Sequence, residues 1–436
     1  MRGRSVFAAT QYDRRILRLA IPALGALAAD PLVSLVDTAF VGRLGATELG
    51  ALGINAAVFS LAFILFNFLA YGTTPLVAAA WGKGDREEAG RVVTQAIGLA
   101  IVIGTIAAAS LEVLWHPLLR AMQAGPDLLA PAGEYLRIRA LAAPAVLLVT
   151  VGHGAYRGLQ DTRTPLLVTV GLNLINLVGD PLLIFVAGWG LRGAAVATVF
   201  AQWSGALWFL VLLNRKRREL GIPIRVPRLS EFRPLATAGS ELIVRTAGLL
   251  TVFTMATAVA ARMGTATVAA HQVAAQVWLF LSLVLDSLAI AGQALVGNYL
   301  GTGQVDDARA ASNRMLQWGF GFGTILGAIF WLLGPSLPKL FTNDTEIVAL
   351  VGGVMPFVAV LQPIGALVFV WDGIFMGARK FRFLMLSTLA AALVAAVVLI
   401  LVVTAGWGLT GVWWGITTLI LGRLGLLAFR YRTTFV

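Results

Sequence analysis

Twelve apolar runs, each long enough to cross the hydrocarbon core of a bilayer, fill nearly the whole chain. In the first half they lie near 16–41, 49–80, 92–118, 133–156, 165–187 and 193–213. In the second half they lie near 238–260, 268–299, 315–338, 347–376, 383–404 and 409–429. A spanning helix needs about 20 predominantly apolar residues. Lipid offers no partner to an unpaired backbone group, so such runs must fold as helices; a spanning barrel would show short alternating segments. Composition agrees, because only 12% of the residues are charged against about 25% in a typical soluble domain. The chain has no cysteine, which excludes a disulfide framework and cysteine-based metal or redox sites. The basic stretch Met1–Arg18 runs into an apolar segment too long for a signal peptide and without a small-residue cleavage site, so it reads as the start of the first transmembrane helix.

The net charge of +12 is distributed as a topology signal and does not point to nucleic acid. With both termini cytoplasmic, most Lys and Arg fall on the cytoplasmic side, as the positive-inside rule requires. The other face and the outer helix ends hold Arg43, Arg120, Arg137, Arg139, Arg192, Arg262 and Lys339, while Arg245 lies within a helix. The richest cytoplasmic loop contains Arg215-Lys216-Arg217-Arg218 together with Pro223, Pro227 and Pro234. It reads as a linker between two lobes, and its basic run as either a topology signal or a lipid-headgroup contact.

The halves repeat. A shift of 219 positions places Arg43 and Gly45 on Arg262 and Gly264, and Leu76-Val77 on Leu295-Val296. The same shift places Pro144, Gly154, Gly158 and Arg163 on Pro363, Gly373, Gly377 and Arg382. A shift of 218 superposes Ala187-Gly-Trp-Gly-Leu191 on Ala405-Gly-Trp-Gly-Leu409. The chain therefore reads as a tandem duplication of a six-helix unit. The expected fold is an all-α polytopic membrane protein, with twelve transmembrane helices in two six-helix lobes related by a pseudo-two-fold axis along the membrane normal. Residues 1–213 form the first lobe, 214–236 the cytoplasmic loop and 237–436 the second lobe. Such an architecture favours a secondary transporter over an enzyme.

Ionisable residues inside transmembrane runs are functional candidates by default. Here the acids are Asp30, Asp37, Glu112, Asp180, Asp286 and Asp372. Asp30 and Asp37 share one helix face at a spacing of seven. Asn173, Asn176 and Asp180 form a polar stripe on the fifth run, which builds either a carboxylate–carboxamide cluster or a structural contact with Tyr135 or Thr198. Asp37 aligns with Ala256 in the second copy, so this polarity is peculiar to the first lobe. Pro22 and the Asp30-Pro31 pair offer bends in the first helix. His153 and Asp372 occupy matched positions next to Gly154 and Gly373; with Asp286 they are candidates for lining a central cavity. Glu241 and Arg245 read as an intrahelical ion pair, His271 as a residue at headgroup level, and Gly319, Gly323 and Gly327 as a helix-packing ridge. No Walker A sequence or zinc-protease motif occurs, so energy comes from an ion gradient if transport is active. No metal site, bound cofactor or nucleic-acid partner is expected.

Three segments carry a resemblance to a known family. They are Val36-Asp-Thr-Ala-Phe-Val-Gly-Arg-Leu-Gly45, Arg157-Gly-Leu-Gln-Asp-Thr-Arg-Thr-Pro165 and Asn176-x-x-x-Asp180-Pro-Leu-Leu-Ile-Phe185. Over nearly its full length the chain resembles the multidrug and toxic compound extrusion (MATE) family, in its DinF-like branch. The resemblance implies two lobes around a central cavity and export driven by inward H⁺ or Na⁺. It implies that Asp37 takes the coupling proton, that Tyr135, Asn176, Asp180 and Thr198 surround it, and that the first helix bends at Pro22. Na⁺ would bind at Asp37, Asn176 and Asp180. Asp30 departs from the pattern, which has a neutral residue there.

The leading expectation is an H⁺-coupled exporter of bulky, amphipathic, mostly cationic compounds. It would be an integral plasma (inner) membrane protein, monomeric and in contact with membrane lipids. An exporter of organic anions or of lipid-linked intermediates is the alternative; with Arg245 as the one basic residue well inside a helix, the sequence disfavours the lipid-linked form. A receptor or scaffold without transport is a third reading. Because the chain is cysteine-free, single cysteines test the orientation directly. In intact cells Lys339→Cys should react with a membrane-impermeant maleimide and Lys216→Cys should react only after permeabilisation; the reverse pattern would invert the topology.

Overall fold

The computed structural model describes residues 10–223, 228–334 and 336–435. Residues 224–227, which include Pro227 of the expected linker, lie outside the described residues, as do residues 1–9. Among the described residues the fold is all-helical, with α1 (Gln11–Gly42), α2 (Ala46–Ile64), α3 (Phe68–Gly82), α4 (Arg86–Ala121), α5 (Pro126–Ala140), α6 (Ala143–Gly158) and α7 (Arg163–Pro181). The chain continues through α8 (Gly190–Arg215), α9 (Arg233–Arg262), α10 (Thr265–Gly301), α11 (Val305–Leu333), α12 (Thr345–Gly377), α13 (Phe381–Ala405) and α14 (Gly408–Tyr431).

Among the described residues eleven spans, with α2 and α3 joined as one, are long and apolar enough to cross a membrane, and the bent pair α5–α6 makes a twelfth if it counts as one. That pair is the run expected at 133–156; it turns by 48° between Ala140 and Ala143. Pro144 opens α6 without an N–H to donate, and the indole of Trp203 donates to the Leu141 carbonyl at 3.1 Å within the break. In the second copy the matched Pro363 sits inside a continuous α12, so the break distinguishes the lobes. By contrast α1 runs unbroken through both Pro22 and Pro31, and the second break expected at Asp30-Pro31 does not occur.

The two lobes are compact units. One comprises Ile21–Gly239; the other joins the first turns of α1, through Ala20, to Ser240–Val436. The sequence reading placed all of α1 in the first lobe, but side chains on its opening turns fasten it to the second. Asp13 receives both Nε (2.6 Å) and Nη2 (3.0 Å) of Arg314 and the indole N–H of Trp318 at 2.7 Å. Tyr12 donates to Asp307, and Arg15 to the Tyr299 hydroxyl, both at 2.7 Å. These anchors are local polar contacts that no apolar periodicity reveals.

Within each lobe the duplicated glycines serve the same crossings. A Cβ on Gly104 would lie 2.5 Å from the Cα of Pro144, and one on Gly323 would lie 2.7 Å from the Cα of Pro363. Likewise a Cβ on Gly154 would meet the Cα of Ala70 at 3.0 Å, and one on Gly373 the Cα of Ala289 at 2.6 Å. Lipid gives no hydrophobic drive between helices, so such close backbone approaches hold the bundle together. Gly319, Gly323 and Gly327 all face α12, as a packing ridge should. The repeated Gly-Trp-Gly turns also share a cause, since Gly188, Gly190, Gly406 and Gly408 all adopt positive φ between 52° and 69°, where a side chain would be strained.

In the second lobe Asp372 on α12 is clamped by Arg245 of α9 and Arg423 of α14, both on the same carboxylate oxygen. The three residues are 4–7% exposed. Arg245 thus reaches Asp372, correcting the expected pair with Glu241, and Arg423 is interior although the charge pattern assigned it to a cytoplasmic end. His271 is buried against Trp413. Removing one member of a buried charge cluster typically costs about 3–5 kcal/mol. Asp372→Asn, which leaves two guanidinium groups facing each other, should lower the unfolding midpoint in detergent markedly; an unchanged melting curve would contradict a structural clamp.

Candidate functional site

The first lobe holds the polar cluster, and α7 is the element that aims it. The helix starts where Asp161 caps it: Oδ1 accepts the backbone N–H groups of Arg163 and Thr164, both at 3.0 Å, and Oδ2 accepts the Thr164 hydroxyl at 2.6 Å. Gln160 precedes it at φ 60°. At the far end Pro181 removes an N–H directly after Asp180, and the chain loosens into a π turn, Leu182–Val186, with Ala187 N–H reaching the Leu182 carbonyl at 2.8 Å. Such turns recur at functional sites. The familiar Gln-Asp-Thr-Arg-Thr-Pro motif is therefore architecture that sets the register of Asn173, Asn176 and Asp180.

These side chains meet those of α1, α5 and α8 around a cavity of about 450 Å³ lined by Asp30, Asp37, Tyr135, Arg139, Asn173, Asn176 and Thr198. Asn173 donates to Asp30 Oδ1 at 2.9 Å. Asn176 donates to Asp180 Oδ1 at 3.1 Å and lies 3.4 Å from Thr198 Oγ1, which itself donates to the Ala194 carbonyl. Behind the cavity wall Asp180 is fully buried, and its carboxyl group lies within hydrogen-bonding reach of Asp37. Two ionised carboxylates have no proton to donate, so Asp37 Oδ1 and Asp180 Oδ2 are then buried without a partner. One shared proton turns the pair into a donor and an acceptor. Asp30 is exposed and opens onto the cavity, so its carboxylate stays reachable.

Tyr135 also lines a second cavity, of about 770 Å³, with Glu48, Glu134, Arg192 and the turn Gly188-Trp189-Gly190. Arg139, one turn further along α5, is the residue that sequence reasoning missed. Counted there as an outer-face charge, it faces the cavity, with its guanidinium centre 5.1 Å from the Phe59 ring. Its spacing from Tyr135, one helical turn, was the available signal.

Other candidates lie elsewhere. His153 is wedged between Thr169 and Arg157 and packs edge-on to Phe209, apart from the cavity. Asp372 belongs to the arginine clamp of the other lobe, and Asp286 is half-buried on α10. Glu112 pairs with Arg137 on an exposed face. Pro22 lies on α1 two residues beyond the point where that helix passes from one unit to the other. Among the described residues no cluster of three His, Cys, Asp or Glu could hold a metal ion.

A duplicated, membrane-spanning helical bundle with an ionisable cluster inside one lobe defines a membrane transporter. The MatE family model matches residues 22–182 and 242–402, one match in each half, and the chain belongs to this family of multidrug and toxic-compound efflux transporters. It is 37% identical over 430 residues to the chloroplastic Protein DETOXIFICATION 44 of Arabidopsis thaliana, covering 96% of this chain and 82% of that one. DNA damage-inducible protein F of Escherichia coli is 29% identical over 381 residues, covering 85% and 82%. Among solved structures the MATE transporter VcmN of Vibrio cholerae in its bent form superposes with a TM-score of 0.87 at 19% identity, covering 97% of each chain.

If Asp161 acts only as a cap, Asp161→Ala should cost about 1 kcal/mol of stability and leave transport per folded molecule unchanged. Loss of coupling without loss of stability, measured by melting curves beside reconstituted transport, would place Asp161 in the transport chemistry.

Proposed function

We propose that the protein is an H⁺-coupled antiporter that exports bulky amphipathic, mostly cationic compounds, with the Asp37–Asp180 pair as its proton site. The observation that carries this reading is the pair itself: two facing carboxyl groups, each with a buried oxygen that a shared proton would satisfy. Asn176 occupies the remaining oxygen of Asp180, and Thr198 and Tyr135 complete the surroundings. Antiport needs proton and cargo to oppose each other's binding, and linkage makes that opposition reciprocal. A cationic cargo meets this need, because protonating the pair weakens the negative field of a cavity that also holds Asp30.

In the proposed cycle the proton binds more tightly in one conformation and so shifts the population toward it. Protonation rearranges the contacts of α1, the helix bends near Pro22, the cavity contracts and cargo leaves on the outer side. Release of the proton to the cytoplasm resets the site. The protein works as a monomer in the plasma (inner) membrane with both termini cytoplasmic. Arg139 on the cavity wall supports one second reading, export of an organic anion. A single guanidinium facing three carboxyl groups is a poor seat for the phosphates of a lipid-linked intermediate.

Dye efflux from proteoliposomes tests the proposal. Efflux should follow an imposed ΔpH, and Asp37→Asn and Asp180→Asn should each reduce it to the level of protein-free liposomes. Full ΔpH-driven efflux by Asp37→Asn would overturn the assignment; citrate export without dye export would favour the anion reading.

A further inference from the structure

We propose that Arg139 is the resident counter-cation of the Asp37–Asp180 pair and selects H⁺ over Na⁺ as the coupling ion. The inference rests on the reading of that pair as the coupling site. Arg139 lines the same cavity as Asp37, and its Nε and Nη1 are buried without a partner. Arginine carries only donors, so these two N–H groups need an acceptor. The charged groups on the helices around α5 leave few choices. Glu112 of α4 is held by Arg137, and Glu134 of α5 lies 3.5 Å from Arg192 of α8. Glu48 stands at the start of α2, beside the other cavity. Asp30 of α1 is engaged by Asn173. The acceptors that come and go with the cycle are Asp37 and Asp180.

When the proton leaves, the guanidinium balances the charge that appears on the pair; when the proton returns, that charge goes. The arrangement suits a proton and excludes a metal cation for two reasons. A proton binds one oxygen covalently and needs no coordination shell, whereas Na⁺ needs several oxygen donors at once. Here Asp37 Oδ1 and Asp180 Oδ2 are the oxygens of the pair buried without a partner, fewer than a Na⁺ shell needs; Asn176 donates toward Asp180 Oδ1 and Thr198 Oγ1, and the Thr198 hydroxyl is turned to Ala194. Secondly, the fixed positive charge of Arg139 repels either cation alike. A tenfold loss of affinity moves a proton midpoint by about one pH unit, within the range a cell offers, whereas Na⁺, with no covalent bond to the site, then needs a tenfold higher concentration.

The test compares wild type, Arg139→Gln and Arg139→Lys, each as full-length protein. Two readouts are taken: the pH profile of ΔpH-driven dye efflux in proteoliposomes, and the effect of NaCl against choline chloride on the melting temperature in detergent. Without the positive charge the carboxyl pair should hold its proton more tightly. Arg139→Gln should therefore shift the midpoint up by about one pH unit and gain stabilisation by Na⁺. Arg139→Lys should keep the wild-type profile and show no Na⁺ effect. An unshifted Arg139→Gln profile, or Na⁺-driven efflux by wild type, would overturn the proposal. ΔpH-driven efflux that survives Asp37→Asn would instead bring down the coupling site, a separate failure.

Discussion

A carboxylate inside a hydrocarbon layer must have a partner, and this fold depends on how each lobe supplies one. In the second lobe Asp372 is held by Arg245 and Arg423, both on one carboxylate oxygen. In the first lobe Asp37 and Asp180 face each other with no arginine in ion-pair contact among the described residues, and a mobile proton would reconcile them. Breaking a buried cluster is costly while building one yields little net stability. The first arrangement is therefore fixed, and the second is retained for what it can release.

The asymmetry is the more informative because both lobes descend from one unit. Matched glycines make matched helix crossings, Gly104 with Gly323 and Gly154 with Gly373, and the Gly-Trp-Gly turns repeat. Against this shared frame the first lobe departs from the second at the break between α5 and α6 and at the polar stripe of α7 ending at Pro181. Together they bring Tyr135, Arg139 and Asp180 to the cavity. The anchoring of α1 adds a third element, because its opening turns are fastened through Asp13 to Arg314 and Trp318 while its later turns carry Asp30 and Asp37.

The helices and the duplication were legible in the sequence because lipid enforces long apolar runs and because repeated glycines keep their spacing. Helix spacing also gave the face shared by Asn173, Asn176 and Asp180, and the family motifs added Tyr135 and Thr198 as their neighbours. Basic residues were harder. Counting them by segment treats every arginine near a helix end as a topology signal, but Arg139 and Arg423 turn inward. One-dimensional order carries no information on rotation about a helix axis where neighbours are polar on several sides. For the same reason Arg245 was given a neighbour on its own helix rather than Asp372, far away in sequence. The continuity of α1 through Pro22 and Pro31 was likewise invisible, since proline weakens a helix without dictating whether its surroundings hold it together.

The central claim, that one proton is shared by Asp37 and Asp180 and yields to cargo, is tested most directly by counting protons. Purified protein in weakly buffered detergent is titrated with a cationic dye while a pH indicator follows release. The account predicts about one proton released per dye bound near neutral pH, and none from Asp37→Asn. Dye binding by the wild type with no proton released, or the same release from the variant, would contradict it.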